Sequence, residues 1–337
     1  MGHAKMTFVR HVLSEQEAFT SATGEFTALM TQISLAANVI ARELNQAGLV
    51  NRLGSTGLVN VQGEQVKKLD QWSNDVFVEM LQESGAACTL VSEEMEEPLH
   101  FAESCERGRY VVCFDPIDGS SNIDVNGIVG TIFSVRSRRG RESRHIPSDV
   151  LRKGTEQIAA GYVMYGPSTV LVYTTGRTVD AFILDPHTRE FLLSHRAIRI
   201  PKRGDTYSVN EGHYHRWHPQ TRRVVDYLRA VDQPSGRPYS LRYAGSLVAD
   251  FHRTLLEGGI YLYPADADDP KRPTGKLRLL YEAAPMALIT ETAGGRASTG
   301  DMRTLDIQPS TYHQRVPLIV GSADDVTLAE DFYQGRR

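Results

Sequence analysis

Apolar residues recur at helical spacing in two long stretches of the N-terminal third of the chain. The first runs over residues 23–48 and predicts a helix that ends near Gly48. The second predicts a helix over residues 64–84. Asp70 lies on its apolar stripe, where a carboxylate contributes little to solubility. The Gly-, Asn- and Ser-rich segment 48–63 between them is predicted to be a mobile loop.

Further along the chain the pattern changes to short apolar runs rich in β-branched and aromatic residues, which are typical of strands. Strands are predicted at 88–92, 110–114, 131–136, 160–165, 169–174, 181–185, 207–210, 259–263 and 316–322. Helices are predicted near 219–230, 245–257 and 279–293. We expect an exposed loop at the Arg-rich segment 136–154. Segment 201–204 begins with proline and ends with glycine, and we predict a boundary there between two α/β halves, 1–200 and 201–337.

Composition excludes several classes of protein. The chain has 337 residues, enough for about two domains. Its 37 Lys and Arg against 41 Asp and Glu leave a net charge of −4, which argues against a nucleic-acid partner. The sequence has no apolar run long enough to span a membrane. Its first residues lack an apolar run followed by a small-residue cleavage site, so we do not expect export. We therefore expect a cytoplasmic enzyme, with Cys88, Cys105 and Cys113 as reduced thiols.

Acidic residues follow two of the predicted strands directly. Glu93 and Glu94 come after strand 88–92, and the run DPIDGSSN (115–122) comes after strand 110–114. Ligands of α/β sheets gather beyond the carboxyl ends of strands, and clustered carboxylates suit Mg²⁺ or Mn²⁺ rather than zinc. Gly119, Ser120 and Ser121 add backbone N–H groups and hydroxyls for an anion. The combination is typical of phosphoryl transfer to water, although D-P-x-D-G alone is also ordinary turn chemistry.

Several motifs together resemble class I fructose-1,6-bisphosphatases. They are GEQVKKLD (63–70), LVSEE (90–94), DPIDGSSN (115–122), NEG (210–212), RYAGSLVAD (242–250), LYP (262–264) and GKLRLLYE (275–282), in matching order over about residues 22–326. The resemblance implies a sugar-phosphatase fold, with two α/β halves stacked in alternating helix and sheet layers. It implies hydrolysis of the 1-phosphate of fructose 1,6-bisphosphate, in gluconeogenesis or a Calvin-type cycle. Alternatives are sedoheptulose-1,7-bisphosphatase or inositol-phosphatase-like activity, or a non-catalytic metabolite sensor.

The resemblance also implies a role for each matching residue. Two or more Mg²⁺ or Mn²⁺ ions per subunit would be held by Glu93, Asp115, the Ile117 carbonyl, Asp118 and Glu282. Glu94 and Asp70 would act on the attacking water, Asp118 would assist the leaving group, and loop 48–63 with Glu64 would close over the metals. The substrate would contact Asp118, Gly119, Ser120, Ser121, Asn210, Arg242, Tyr243, Tyr261, Leu262, Tyr263 and Lys276. Taken alone, Glu282 also suits a helix surface, and Tyr261 and Tyr263 also suit core packing.

Regulation and assembly are implied in the same way. An inhibitory AMP site would be formed by Thr23, Gly24, Glu25, Phe26, Thr27, Arg109 and Tyr110. A helix N-terminus binds anions through its free amides, but Thr23 alone also fits simple helix capping. Ser137 stands where regulated animal members carry an arginine. The family assembles as a homotetramer in which the residue matching Arg242 reaches into the neighbouring subunit's site.

Overall fold

The computed structural model describes residues 6–16, 24–47, 49, 53–59, 65–101, 105, 108–139, 146–267 and 274–337. Within these ranges the helices are α1 (Phe8–Gln16), α2 (Glu25–Leu44), α3 (Lys68–Glu83), α4 (Ile146–Val150), α5 (Pro219–Arg229), α6 (Leu247–Glu257), α7 (Ala284–Thr292) and α8 (Ala323–Tyr333). A π-helical turn, Leu279–Ala283, leads directly into α7. Each of these helices is too short or too polar to span a bilayer.

The strands form two main sheets and two small ribbons. They are β1 (Ser55–Val59), β2 (Gln65–Lys67), β3 (Ala87–Ser92), β4 (Leu99–His100), β5 (Tyr110–Asp118), β6 (Val129–Ser137), β7 (Ala159–Tyr165), β8 (Thr169–Thr174), β9 (Val179–Leu184), β10 (Phe191–His195), β11 (Thr206–Ser208), β12 (Ser240–Leu241), β13 (Ile260–Tyr263), β14 (Leu277–Arg278), β15 (Arg296–Ser298), β16 (Arg315–Val316) and β17 (Leu318–Gly321).

The eight-stranded sheet has the order β10-β9-β8-β7-β6-β5-β3-β4. Its pairs are antiparallel except β3 with β5, which run parallel. The second sheet has the order β12-β11-β13-β17-β15, with β11 parallel to both of its neighbours. β1 pairs with β2, and β14 pairs with β16.

Helices and sheets alternate in layers, as expected. α2 and α3 pack against one face of the eight-stranded sheet. Its other face packs on α6 and α7, which also contact β17 of the second sheet. α5 and α8 cover the outer face of the second sheet. The apolar stripes of these helices drive the stacking, because each layer buries a hydrophobic face against the next.

Several expectations about local structure were wrong. Segment 136–154 is not one exposed loop: Arg136 lies in β6 and is fully buried, where its guanidinium donates to Cys113 Sγ and Ser134 Oγ at 3.3 Å each. The second long helix begins at Lys68, because β2 precedes it. Part of the predicted loop 48–63 is the strand β1. Glu64 and Thr23 lie outside the described residues.

The expectation of three reduced thiols was also wrong. Cys88 and Cys105 are joined by a disulfide bond across 17 residues of sequence. Cys113 is a free, buried thiol in β5. An odd number of cysteines in the sequence does not exclude one local pair, and the spacing alone carried no evidence for it.

Candidate active site

A cavity of about 400 Å³ opens where the ends of β3 and β5 meet the starts of α3 and α6. The second half of the chain closes it through β13, β14 and the π-helical turn. The predicted site residues that line the cavity are Asp70, Glu93, Glu94, Asp115, Ile117, Asp118, Gly119, Ser120, Ser121, Tyr243, Tyr261, Tyr263, Lys276 and Glu282.

Three carboxylates converge at the base of the cavity. β3 and β5 are parallel with Ser92 opposite Phe114, so Glu93 and Asp115 follow at the same level of the sheet. The Glu93 N–H donates to the Phe114 carbonyl at 3.2 Å. Glu282 joins them from the π-helical turn. One oxygen from each of Glu93, Asp115 and Glu282 lies within 4.8 Å of the other two.

Burial makes this concentration of negative charge costly. Burial first, and then the charges of Glu93 and Glu282, raise the pKa of Asp115 well above its usual range. Burial and Glu93 raise the pKa of Glu282 to about 8, although Arg278 opposes the shift. A pKa raised by burial means that the site disfavours the charged carboxylates unless a cation compensates them.

Arg278 supplies part of that compensation. Its guanidinium lies 2.6 Å from a Glu93 carboxylate oxygen and 3.8 Å from Glu282 Oε2. Its backbone N–H also donates to Glu282 Oε2 at 2.6 Å. We did not single out Arg278 from the sequence, although its position four residues before Glu282 in GKLRLLYE was a signal for the ion pair.

Asp70 and Glu94 flank the acidic cluster from different elements. Asp70 is buried in the first turn of α3, where its Oδ2 accepts the Lys67 N–H at 3.1 Å. Its Oδ1 is buried without a hydrogen-bond partner among the described residues. Burial raises the pKa of Asp70 to about 7, and the Lys67 N–H opposes this while Glu93 adds to it. Glu94 is half-buried, and its N–H donates to Ser92 Oγ at 3.2 Å.

Asp118 connects the acidic cluster to the start of α6. Its Oδ2 accepts the Ser246 hydroxyl at 2.6 Å and the Val248 N–H at 2.8 Å. Burial raises the pKa of Asp118 despite these hydrogen bonds. Gly119 follows with φ +76°, and a Cβ there would lie 2.6 Å from Ser246 Cβ. Only glycine therefore allows the chain to approach the start of α6 this closely directly after β5.

The opposite side of the cavity carries a lysine and three tyrosines. Lys276, Tyr243, Tyr261 and Tyr263 line it, and Tyr261 is buried in strand β13. Asp250 in α6 fixes the loop that presents Tyr243, because its carboxylate accepts the Ala244 N–H at 2.9 and 3.0 Å. Asp250 ends the sequence motif RYAGSLVAD (242–250), but the motif alone did not indicate this role.

Asn210 and Leu262 line a smaller adjoining pocket instead of the main cavity. Tyr263 and Lys276 line both pockets, so the two pockets adjoin at these residues. His213 and Arg216 also line the smaller pocket. Arg242 lies in neither lining set; its side chain is exposed and donates to the Leu241 carbonyl at 2.9 Å.

The residues predicted for a nucleotide site come together at the start of α2. Gly24, in the left-handed conformation with φ +80°, precedes the helix. The Arg109 guanidinium lies 2.9 Å from the Glu25 carboxylate, and the rings of Phe26 and Tyr110 meet edge to face at 5.8 Å. Thr27 Oγ1 is buried without a hydrogen-bond partner among the described residues.

The donor set of the main cavity fits hard divalent cations. Glu93, Asp115 and Glu282 offer buried carboxylate oxygens at one point, and oxygen ligands of this kind suit Mg²⁺ and Mn²⁺. The raised pKa values of Asp115 and Glu282 show that the amino acids alone do not balance the charge. A bound cation would supply that balance.

Comparison with known proteins gives full-length matches. The model for the N-terminal domain of fructose-1,6-bisphosphatase matches residues 6–196, and the model for its C-terminal domain matches residues 200–334. Class 1 fructose-1,6-bisphosphatases from Oleidesulfovibrio alaskensis and Synechocystis sp. are 51% and 50% identical to the chain. The first match covers 98% of both chains, and the second covers 97% of this chain and 92% of the relative. The holo-form crystal structure of Leishmania major fructose-1,6-bisphosphatase superimposes with a TM-score of 0.92 at 42% identity, covering 98% of this chain and all of that chain.

Proposed function

The chain belongs to the class 1 fructose-1,6-bisphosphatase family, and from this premise we propose how its own residues carry out the reaction. The activity is hydrolysis of fructose 1,6-bisphosphate, and the enzyme depends on divalent metal. We propose that the 1-phosphate is the group removed, giving fructose 6-phosphate and inorganic phosphate. The observation that carries the assignment of the site is the convergence of buried acids beside a cavity that ends in a lysine and tyrosines.

Two or more Mg²⁺ or Mn²⁺ ions per subunit would be held by Glu93, Asp115, the Ile117 carbonyl, Asp118 and Glu282. When bound, the cations neutralise the phosphate oxygens and lower the pKa of water. Arg278 keeps Glu93 and Glu282 in place through its ion pairs.

Asp70 and Glu94 handle the proton of the attacking water. Asp70 suits this role because it lines the cavity and its pKa is raised to about 7. Asp118, the last residue of β5, accepts hydrogen bonds from the start of α6 and assists departure of the sugar oxygen. Its bonds to Ser246 and Val248 hold its carboxylate in a single orientation.

The two ends of the substrate would meet different sides of the site. Gly119, Ser120 and Ser121 contact the transferred phosphate. The sugar and the second phosphate would contact Asn210, Tyr243, Tyr261, Leu262, Tyr263 and Lys276, which line the two adjoining pockets. Lys276 neutralises the second phosphate, and tyrosine hydroxyls bond its oxygens.

We propose a homotetramer in which Arg242 enters a neighbouring subunit's site. The support is its exposed side chain directly before Tyr243, which lines the cavity. The halves 1–200 and 201–337 would correspond to the two sheets, since β3–β10 precede residue 200 and β11–β13, β15 and β17 follow it. We place the enzyme in the cytoplasm, in gluconeogenesis or a Calvin-type cycle.

We propose AMP as an inhibitor that binds at the start of α2. Gly24, Glu25, Phe26, Thr27, Arg109 and Tyr110 lie together there, and Thr23 completes the proposed set from outside the described residues. The nucleotide phosphate would replace Glu25 as the partner of Arg109. A dose–response in which millimolar AMP leaves turnover unchanged would reject this site.

The test of the function is phosphate release from three substrates with and without Mg²⁺. We expect kcat/KM to be highest for fructose 1,6-bisphosphate and lower for sedoheptulose 1,7-bisphosphate and inositol monophosphate. Asp118→Asn should lose most of the metal-dependent activity. Equal phosphate release by wild type and variant would contradict the proposed site, and no release by the wild type would favour a metabolite sensor.

A further inference from the structure

Two turns bring proposed site residues to the base of the cavity from different parts of the chain. The turn between β3 and β4 begins with Glu93 and Glu94, and the π-helical turn carries Glu282. Arg278 joins the Glu93 and Glu282 carboxylates through its ion pairs. The like charges of these two acids still oppose each other, since Glu93 adds to the raised pKa of Glu282. The separation of the two turns therefore depends on further contacts.

His313 bridges the two turns through both of its ring nitrogens. Its Nδ1 lies 2.7 Å from the Tyr281 hydroxyl, and its Nε2 lies 3.0 Å from the Glu96 carbonyl oxygen. A carbonyl oxygen only accepts hydrogen bonds, so Nε2 carries the proton that it donates to Glu96. In a neutral ring Nδ1 then accepts from the Tyr281 hydroxyl. Tyr281 directly precedes Glu282, and Glu96 lies two residues after Glu94, so one imidazole joins both turns.

Backbone pairing fixes the segment that presents His313. This segment leads into β16, which pairs antiparallel with β14, and the Leu279 N–H donates to the Gln314 carbonyl at 2.8 Å. The Gln314 side-chain oxygen accepts the Ser310 N–H at 2.7 Å and the Ser310 hydroxyl at 3.0 Å. Tyr281 is fully buried, and its ring meets the His313 ring edge to face at 5.9 Å. The position of the imidazole is therefore set by a strand pair and by a buried tyrosine.

We propose that His313 is a positioning residue of the reaction. By bridging the two turns, it sets the distance between Glu282 and Glu94. The inference rests on the function proposed above, in which Glu282 holds a cation and Glu94 acts on the attacking water. Ligands that are already in place bind a cation without the cost of bringing them together. His313 lines neither pocket, so it acts only through the segments that it joins.

Three substitutions separate the bridge from general packing. His313→Ala removes both hydrogen bonds, and Tyr281→Phe removes only the hydroxyl. His313→Gln keeps one acceptor and one donor on the same side chain. The matched control is Tyr162→Phe, because Tyr162 is also fully buried and its hydroxyl also lies 2.7 Å from a histidine nitrogen, Nδ1 of His252. Neither residue of this control pair lines the cavity.

Each full-length protein is characterised by Mn²⁺ affinity from titration calorimetry, by the Mg²⁺ concentration for half-maximal phosphate release, by kcat and by Tm. His313→Ala should weaken Mn²⁺ binding about 10-fold or more, raise the Mg²⁺ concentration by a similar factor and lower kcat, as is usual when contacts behind metal ligands are lost. Tyr281→Phe should change these values several-fold in the same direction, and His313→Gln should recover most of the wild-type affinity. Tyr162→Phe should lower Tm about as much as Tyr281→Phe, with Mn²⁺ affinity and kcat unchanged.

Wild-type Mn²⁺ affinity in His313→Ala and Tyr281→Phe would overturn the inference, and so would an equal loss in Tyr162→Phe. A His313→Gln enzyme as impaired as His313→Ala would also overturn it, because the bridge would then not be the cause. If His313→Ala does not fold, the comparison of Tyr281→Phe with Tyr162→Phe decides the question. A wild type that binds Mn²⁺ but releases no phosphate rejects the proposed function, while the affinities still decide the role of His313. A wild type that binds no Mn²⁺ rejects both.

Discussion

Glu282→Gln tests the charge balance of the acidic cluster most sharply. The substitution removes one of three converging carboxylates but keeps an oxygen that can accept the Arg278 N–H, which donates to Glu282 Oε2 at 2.6 Å. Burial and Glu93 raise the pKa of Glu282 to about 8 from its ordinary value of 4.5. Each pKa unit corresponds to about 1.4 kcal/mol. Ionising Glu282 in the metal-free folded protein is therefore on the order of 5 kcal/mol less favourable than ionising an ordinary glutamate in water.

The sign of the pH dependence follows from the raised pKa. The folded state binds the proton of Glu282 more tightly than the unfolded state does. The contribution of Glu282 to folding stability is therefore fully present below about pH 4.5. It is lost as the pH rises through about 8. We therefore expect metal-free Glu282→Gln to be more thermostable than the metal-free wild type at pH 8.5 by several degrees, with a smaller gain at pH 6. The same variant should lose on the order of 100-fold or more in Mg²⁺-dependent kcat/KM, because it loses one of the proposed cation ligands.

Differential scanning calorimetry in EDTA at the two pH values, paired with phosphate release, measures both effects. Glu291→Gln is the matched control, because Glu291 forms a surface ion pair with Arg303 away from the cavity. Because surface ion pairs contribute about 0–1 kcal/mol, this control should change the stability only slightly. A Glu282→Gln enzyme that is less stable than wild type at pH 8.5, or that keeps full activity, would refute the reasoning.

Three further substitutions test separate parts of the site. Gly119→Ala should lower both kcat/KM, by more than about 10-fold, and Tm. A left-handed alanine costs roughly 1–2 kcal/mol, and its Cβ would press on Ser246, which donates a hydrogen bond to Asp118. Unchanged kinetics would contradict this expectation. Asp124→Asn removes the 2.5 Å ion pair with Lys67 beside the cavity, so kcat should fall several-fold in steady-state assays while Tm stays within about 1–2 °C. Arg109→Ala should raise the AMP concentration for half-inhibition about 10-fold or more without changing KM for fructose 1,6-bisphosphate, and an unchanged dose–response would count against the nucleotide site.

Part of the candidate active-site cavity could be predicted from the sequence because two of its acids directly follow apolar runs. Glu93 and Asp115 stand directly after apolar runs, and parallel pairing of β3 and β5 brings the ends of those runs together. Asp70 stood out because a carboxylate on an apolar helical stripe has no role in solubility. The expectation that these side chains line one cavity with Glu282 agrees with the structure, while their chemical roles stay proposals.

Features that depend on distant pairing were not visible in the sequence. Arg136 was expected to be exposed because it begins an Arg-rich run, but the alternation of β6 places it in the interior against Cys113 and Ser134. Short or polar strands such as β4 and β12 have too few apolar residues to show a period. The Cys88–Cys105 bond joins residues 17 positions apart, a pairing that local patterns do not encode.

Calorimetric titration of Mn²⁺ into the wild-type enzyme and Asp115→Asn tests most directly whether the buried acids bind cations. Asp115 lies within the cluster beside Glu282, and burial together with Glu93 raises the pKa of Glu282 to about 8, so cation binding near pH 7 should release protons. For the wild type the account predicts proton release, which makes the measured binding heat depend on the ionisation enthalpy of the buffer. For Asp115→Asn it predicts loss of most Mn²⁺ binding. Equal Mn²⁺ affinity and stoichiometry in the two proteins would contradict it.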